Sequence, residues 1–134
     1  IYTSVHTLSL HDALPILLDT NMVIGLLKGH APAIALAEQS GLVLERAAVS
    51  QITRMELLGY PQLTDQEEQQ IRAFLAACQV QLLSEAIEEQ AIALRRAGAF
   101  KLPDAIVAAT AIAGKRHLLT LDQGMLRSLQ KWVV

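Results

Sequence analysis

From Ile16 onward, short apolar runs alternate with longer stretches of helical periodicity, and this alternation limits the fold more than any other feature. Residues 16–18, 42–49, 80–83 and 117–121 read as strands, and 132–134 as a further one. Helical patterns cover 22–27, 32–39, 51–58, 103–113 and 123–129. Two more helices carry clear start signals: Thr64-Asp65-Gln66-Glu67 is a capping box for a helix running to Ala77, and Ser84 caps a helix whose apolar positions Ile87, Ala91 and Leu94 fall one turn apart. Gly29, Gly41, Gly98 and Gly114 stand where helices stop. Strands that alternate with helices predict an α/β fold with a mainly parallel sheet of four to five strands, covered on both faces. In such sheets ligands collect at the carboxyl ends of the strands, so the residues placed there carry the functional information.

Composition agrees. Hydrophobic residues make up 52 % of the chain, enough for a core, while aromatics reach only 4 %, which suits alanine- and leucine-packed helices better than an all-β sandwich. The 134 residues are one domain's worth. Cys78 is the sole cysteine and lies among Ile71, Phe74 and Leu75, so it reads as a small buried hydrophobe with no internal disulfide to make. No apolar run approaches the roughly 20 residues that span a bilayer, and the expected compartment is a reducing cytoplasm.

Residues 1–15 do not belong with this pattern. They lack both a methionine start and the basic and apolar regions of a signal peptide. Ser9 to Ile16 resembles a translated sequencing-adaptor read-through, so 1–15 is expected to be a non-native leader and 16–134 the domain. His6, His11 and Asp12 receive no role.

Four acids occupy informative places. Asp19 follows the run 16–18 and Asp122 follows 118–121, so both stand at strand ends on one sheet edge, where two carboxylates begin a hard-cation site. Each is also a plausible helix N-cap. Asp104 opens an otherwise uncharged apolar helix; the dipole favours an acid there, but a carboxylate on a buried helix must find a cation or several donors. Glu56 shares a helix face with Ile52 by the (i, i+4) rule, and its bland alternative is a boundary glutamate paired with Arg54 or Arg95. The set of cysteines and histidines that zinc prefers is missing.

These same segments resemble the motifs of PIN-domain ribonucleases of the VapC toxin type. Leu17-Leu18-Asp19-Thr20-Asn21 is similar to the opening strand and Asp-Thr-Asn; 49–57 to the strand-end serine and Glu-Leu helix; 102–111 to the family's most typical helix; and Leu118-Leu119-Thr120-Leu121-Asp122 to the last strand with its threonine and acid. The resemblance implies a three-layer α/β/α sandwich and an endoribonuclease dependent on Mg²⁺ or Mn²⁺. Asp19, Glu56, Asp104 and Asp122 would be its catalytic and metal-binding acids, with Asn21, Ser50 and Thr120 as supporting polar groups. Asp122 matches least well, because Gln123-Gly124 departs from the commoner continuation. The resemblance also implies an RNA substrate, a cognate antitoxin and a homodimer, but no membrane.

Charge permits this reading. The net charge is −2, from 13 acidic and 11 basic residues; setting the four acids aside leaves a mildly basic remainder. Arg46, Arg54, Lys101, Lys115 and Arg116 form the pool for phosphate contacts, and His117 reads as a strand-start residue. Rival readings are a catalytically silent or partner-dependent binding module, an RNA-maturation nuclease, and a phospho-acceptor receiver. The last would want paired acids near the start and a lysine after a late strand, and neither is present.

Overall fold

A computed structural model describes residues 15–132. Four strands, β1 (Ile16–Leu18), β2 (Ala47–Ser50), β3 (Gln79–Gln81) and β4 (His117–Leu119), form one sheet in the order β3-β2-β1-β4. Every neighbouring pair is parallel. Seven α-helices complete the described residues: α1 (Thr20–Leu27), α2 (Ala31–Gln39), α3 (Gln51–Leu58), α4 (Asp65–Ala77), α5 (Glu85–Arg96), α6 (Leu102–Gly114) and α7 (Gln123–Gln130).

The three layers follow from the two-residue period of the strands. In register, Leu17 lies beside Ala48 on one side and Leu118 on the other, and these three face a core built from α5, α6 and α7. Their neighbours Ile16, Leu18, Ala47, Val49 and Leu119 point the opposite way, onto α1 to α4. Both faces are therefore covered, and the buried runs of β1 and β2 are apolar on each side. Alanines dominate where α6 crosses the sheet: Ala105, Ala108 and Ala109 are fully buried, and small side chains let helix and strand approach closely.

Helix ends sit where their capping residues lie, with one exception. Thr64 and Glu67 form the reciprocal box expected of them, and Ser84 caps α5 by accepting from Ile87 N. Gly98 adopts the left-handed conformation just beyond α5 (φ +82°). At the end of α6, however, Gly114 stays helical and Lys115 takes the left-handed position, φ 53°. β1 spans the expected residues, whereas β2 and β4 are shorter than expected. Leu44–Arg46 winds into a 3₁₀ turn before β2, and β4 stops at Leu119, so Thr120 and Leu121 lead out of the sheet. Trp132 lies in a turn, while residues 133–134 of the expected last strand, like residues 1–14 of the expected leader, fall outside the described part. Cys78 ends α4 half-buried, and burial pushes its thiol up, away from nucleophile chemistry. Among the described residues no helix is long and apolar enough to cross a membrane.

Candidate active site

Parallel strands place all their carboxyl ends on one edge. Asp19 follows β1 there, Ser50 ends β2, and Thr120 followed by Asp122 leaves β4. Asp19 is the most enclosed of the acids, 8 % exposed. Its Oδ1 accepts from Met22 N at 2.8 Å and caps α1, while its Oδ2 accepts from the Thr120 hydroxyl. Burial holds this carboxyl above its ordinary range, against the two hydrogen bonds that favour the charged form; the charges of Asp104 and Asp122 push it the same way as burial.

Asp122 caps α7 through Met125 N at 3.0 Å, and its own N–H donates to Thr120 Oγ1 at 3.0 Å. The N-cap explanation thus holds for both strand-end acids, and it does not compete with their membership of a cluster. Asp104, in the first turn of α6, is exposed, which corrects the expectation that it would be starved of solvent at the end of a buried helix. Burial of α6 begins only at Ala105. Even so, the Asp104 carboxyl is raised, by partial burial first and then by the charges of Asp122 and Glu56, with Lys101 opposing. Asp104 therefore lies within electrostatic reach of Asp19, Asp122 and Glu56.

Glu56 is exposed on α3, and its Oε1 accepts a 2.6 Å hydrogen bond from Thr20 Oγ1. It does not pair with Arg54 or Arg95. The ion pair present among the described residues is Arg72–Glu68 at 2.8 Å, and Arg95 donates to Phe100 O. Neighbouring carboxylates with no ion-pair partner among the described residues suit a cation of hard-oxygen preference. Among the described residues no three of them converge as a ready-made ligand set.

The three supporting residues fare differently. Thr120 bridges Asp19 and Asp122. Ser50, fully buried, caps α3 by accepting from Thr53 N at 3.2 Å. Asn21 is exposed on α1 and makes no side-chain hydrogen bond to the acids among the described residues. Two residues escaped the sequence reading: Thr20, which holds Glu56, and buried Thr53, whose hydroxyl stands 3.0 Å from that of Thr20. The available signal was spacing, since Thr53 is three residues from both Ser50 and Glu56.

Of the basic pool, Arg54 on α3 and Lys101 before α6 lie toward the acidic edge. Arg46, Lys115 and Arg116 precede strands and occupy the opposite one. Arg116 reaches Ile16 O, Arg46 O and Gln79 Oε1, so it ties together the amino ends of three strands. His117 begins β4 on that same far edge. The acids line an open edge. A cavity of about 270 Å³ lies apart from them, walled by Ile24, Leu27, Leu57, Leu63 and Ile71.

Fold and edge together describe a three-layer α/β protein with an acidic strand-end edge. The PIN domain family matches residues 16–129, and the chain belongs to that family. PIN domains are nucleases, acting on phosphodiester bonds. Among solved structures, the chain is similar to a toxin-antitoxin complex from Klebsiella pneumoniae, at 34 % identity with a TM-score of 0.68, over 80 % of this chain and 86 % of that one. The fold is shared with FitAcB from Neisseria gonorrhoeae (23 %, TM-score 0.69, 86 % and 93 % covered). It is also shared with VapBC2 from Rickettsia felis bound to a DNA fragment from their promoter (20 %, TM-score 0.67, 84 % and 91 % covered). Comparison with curated protein sequences finds no match.

Proposed function

We propose that this chain is a metal-dependent endoribonuclease and the toxin of a toxin–antitoxin pair, with Asp19, Glu56, Asp104 and Asp122 as its acidic centre. The observation that carries the reading is the clustering of carboxylates about the strand-end edge, where Asp104 and Asp122 act on Asp19, and Asp122 and Glu56 on Asp104, with no ion pair to any of the four among the described residues. Their oxygens suit Mg²⁺ or Mn²⁺, and since no three converge, the ion would be held partly through water, as Mg²⁺ prefers. When bound, such an ion makes a water nucleophilic and neutralises charge on the phosphoryl oxygens.

The protein's own groups divide the remaining work. Asp19, locked by Met22 N and Thr120, is the rigid anchor. Exposed Asp104 and Asp122 face the solvent from which substrate arrives. Glu56, held by one oxygen, has the other available to orient water. Arg54 and Lys101 are the phosphate contacts of choice, since they alone of the basic pool lie toward this edge. Similarity to a toxin-antitoxin complex supports a cognate antitoxin, and the family resemblance supports an RNA substrate, a homodimer and a cytoplasmic setting. The domain itself is assigned to residues 16–134.

The test is incubation of the purified domain with total RNA in Mg²⁺, Mn²⁺ or EDTA, beside Asp104→Asn. Because Asp104 is exposed, the variant should fold normally. Cleavage that needs metal and disappears in the variant supports the assignment. A folded domain that binds metal yet cuts nothing would mark a silent or partner-dependent module instead.

A further inference from the structure

We infer that Thr20 and Thr53 are positioning residues for Glu56: a file of hydroxyls, Ser50 to Thr53 to Thr20, grips one oxygen of its carboxylate and leaves the other free at the acidic edge. Ser50 and Thr53 are both fully buried, so their hydroxyls must be satisfied within the protein. A buried helical threonine commonly donates to the carbonyl one turn back, as Thr110 does to Ile106 O at 2.7 Å. Thr53 does not. Its Oγ1 lies 3.2 Å from Ser50 Oγ and 3.0 Å from Thr20 Oγ1.

The donor order along the file follows from its end. An ionised carboxylate only accepts, so the single hydroxyl hydrogen of Thr20 goes to Glu56 Oε1, at 2.6 Å. Thr20 can then only accept from Thr53, and Thr53 from Ser50, whose oxygen in turn accepts Thr53 N–H. Each hydroxyl hydrogen is used once, and the file has one direction. Glu56 Oε2 accepts no hydrogen bond among the described residues, while the Glu56 charge is felt at Asp104. The file also joins α1 to α3 immediately after Asp19, so one helix start sets the geometry of two acids.

The role of Glu56 toward a metal rests on the function proposed above, and the test keeps the two ideas apart. In the metal-free protein, three-bond couplings of the Glu56 side chain would be measured in wild type, Thr20→Val, Thr20→Ser, Thr53→Val and Thr53→Ser. One Glu56 rotamer is expected in wild type and in both serine variants, and averaging in both valine variants. A single unchanged rotamer in the valine variants would overturn the inference. The second arm is Mn²⁺ titration followed by electron paramagnetic resonance. Thr20→Val should weaken binding about tenfold, Thr20→Ser should stay within about twofold of wild type, and Thr20→Val should add nothing once Glu56→Gln is present. A Thr20→Val loss that persists in the Glu56→Gln background would show that Thr20 does not act through Glu56. Wild type that binds no Mn²⁺ would remove the metal centre while the couplings still decide the file.

Discussion

The hydroxyl of Thr120 donates to Asp19 Oδ2 across 101 residues of chain and, through the same oxygen, accepts the backbone N–H of Asp122. One buried side chain thereby couples the acids at the ends of β1 and β4, which are hydrogen-bonded neighbours in the sheet. Thr120 is 2 % exposed, so water cannot replace it.

Thr120→Val should therefore cost about 1–3 kcal/mol of stability, because it strands a buried carboxylate oxygen and a backbone donor together. It should also raise the Asp19 carboxyl further, since the hydroxyl is the strongest influence holding it down. Thr120→Ser should recover most of both effects. Urea denaturation with pH titration of the Asp19 carboxyl resonance measures them, and a stable valine variant with an unmoved Asp19 would contradict the coupling.

Asp19 and Asp104 make the metal-free protein sensitive to pH in a definite direction. Both carboxyls are raised above the ordinary 3.8, so the folded state binds their protons more tightly than the unfolded state does. Their favourable contribution is complete below 3.8 and is lost as pH rises through the raised values. At neutral pH the two charges accordingly destabilise the fold. Asp19→Asn keeps an acceptor for Met22 N, and it should gain stability relative to wild type at pH 7 but little below pH 3.8. Denaturation of both proteins at the two pH values, in EDTA, decides it; an equal difference at both would refute the assignment of the shift.

Why some of this was legible in the sequence and some not comes down to the range of the interactions. Helix limits came within a residue or two wherever a local cap marks them, as at Thr64, Ser84 and Ser50. The parallel sheet followed from alternation of elements, and the strand-end placement of Asp19 and Asp122 followed from that. The strand lengths did not, because the expected strand 42–49 includes the charged pair Glu45-Arg46, where the chain winds into a 3₁₀ turn before β2. The exposure of Asp104 was invisible because it depends on how far α6 projects beyond the sheet. Thr20 and Thr53 escaped for the same reason: their bond to each other spans 33 residues, and no local rule pairs two threonines.

Arg116 illustrates how a basic residue can leave the candidate list once its position is known. It donates to Ile16 O at 3.4 Å, to Arg46 O at 3.2 Å and to Gln79 Oε1 at 3.0 Å, far from the acidic edge. Arg116→Ala should lower stability by roughly 1–2 kcal/mol, since partly buried carbonyls lose a charged donor. RNA affinity should not change, whereas Lys101→Ala, beside Asp104, should weaken binding and flatten its salt dependence. Filter binding at several salt concentrations, with thermal melts of the same variants, separates the two roles.

A cation at the acidic edge should reverse the pH sensitivity. Binding only the folded state, it stabilises by an amount set by its concentration over its dissociation constant, about 2.7 kcal/mol at a hundredfold excess. It must displace the protons that Asp19 and Asp104 hold more firmly than usual, so its apparent affinity should climb as pH rises through their raised range. Melting curves with Mg²⁺ or Mn²⁺ should then diverge from the EDTA curve with increasing pH in wild type. They should stay together in Asp19→Asn, whose anchor lacks the charge. Equal stabilisation of both proteins by the metal would place its binding somewhere other than this edge.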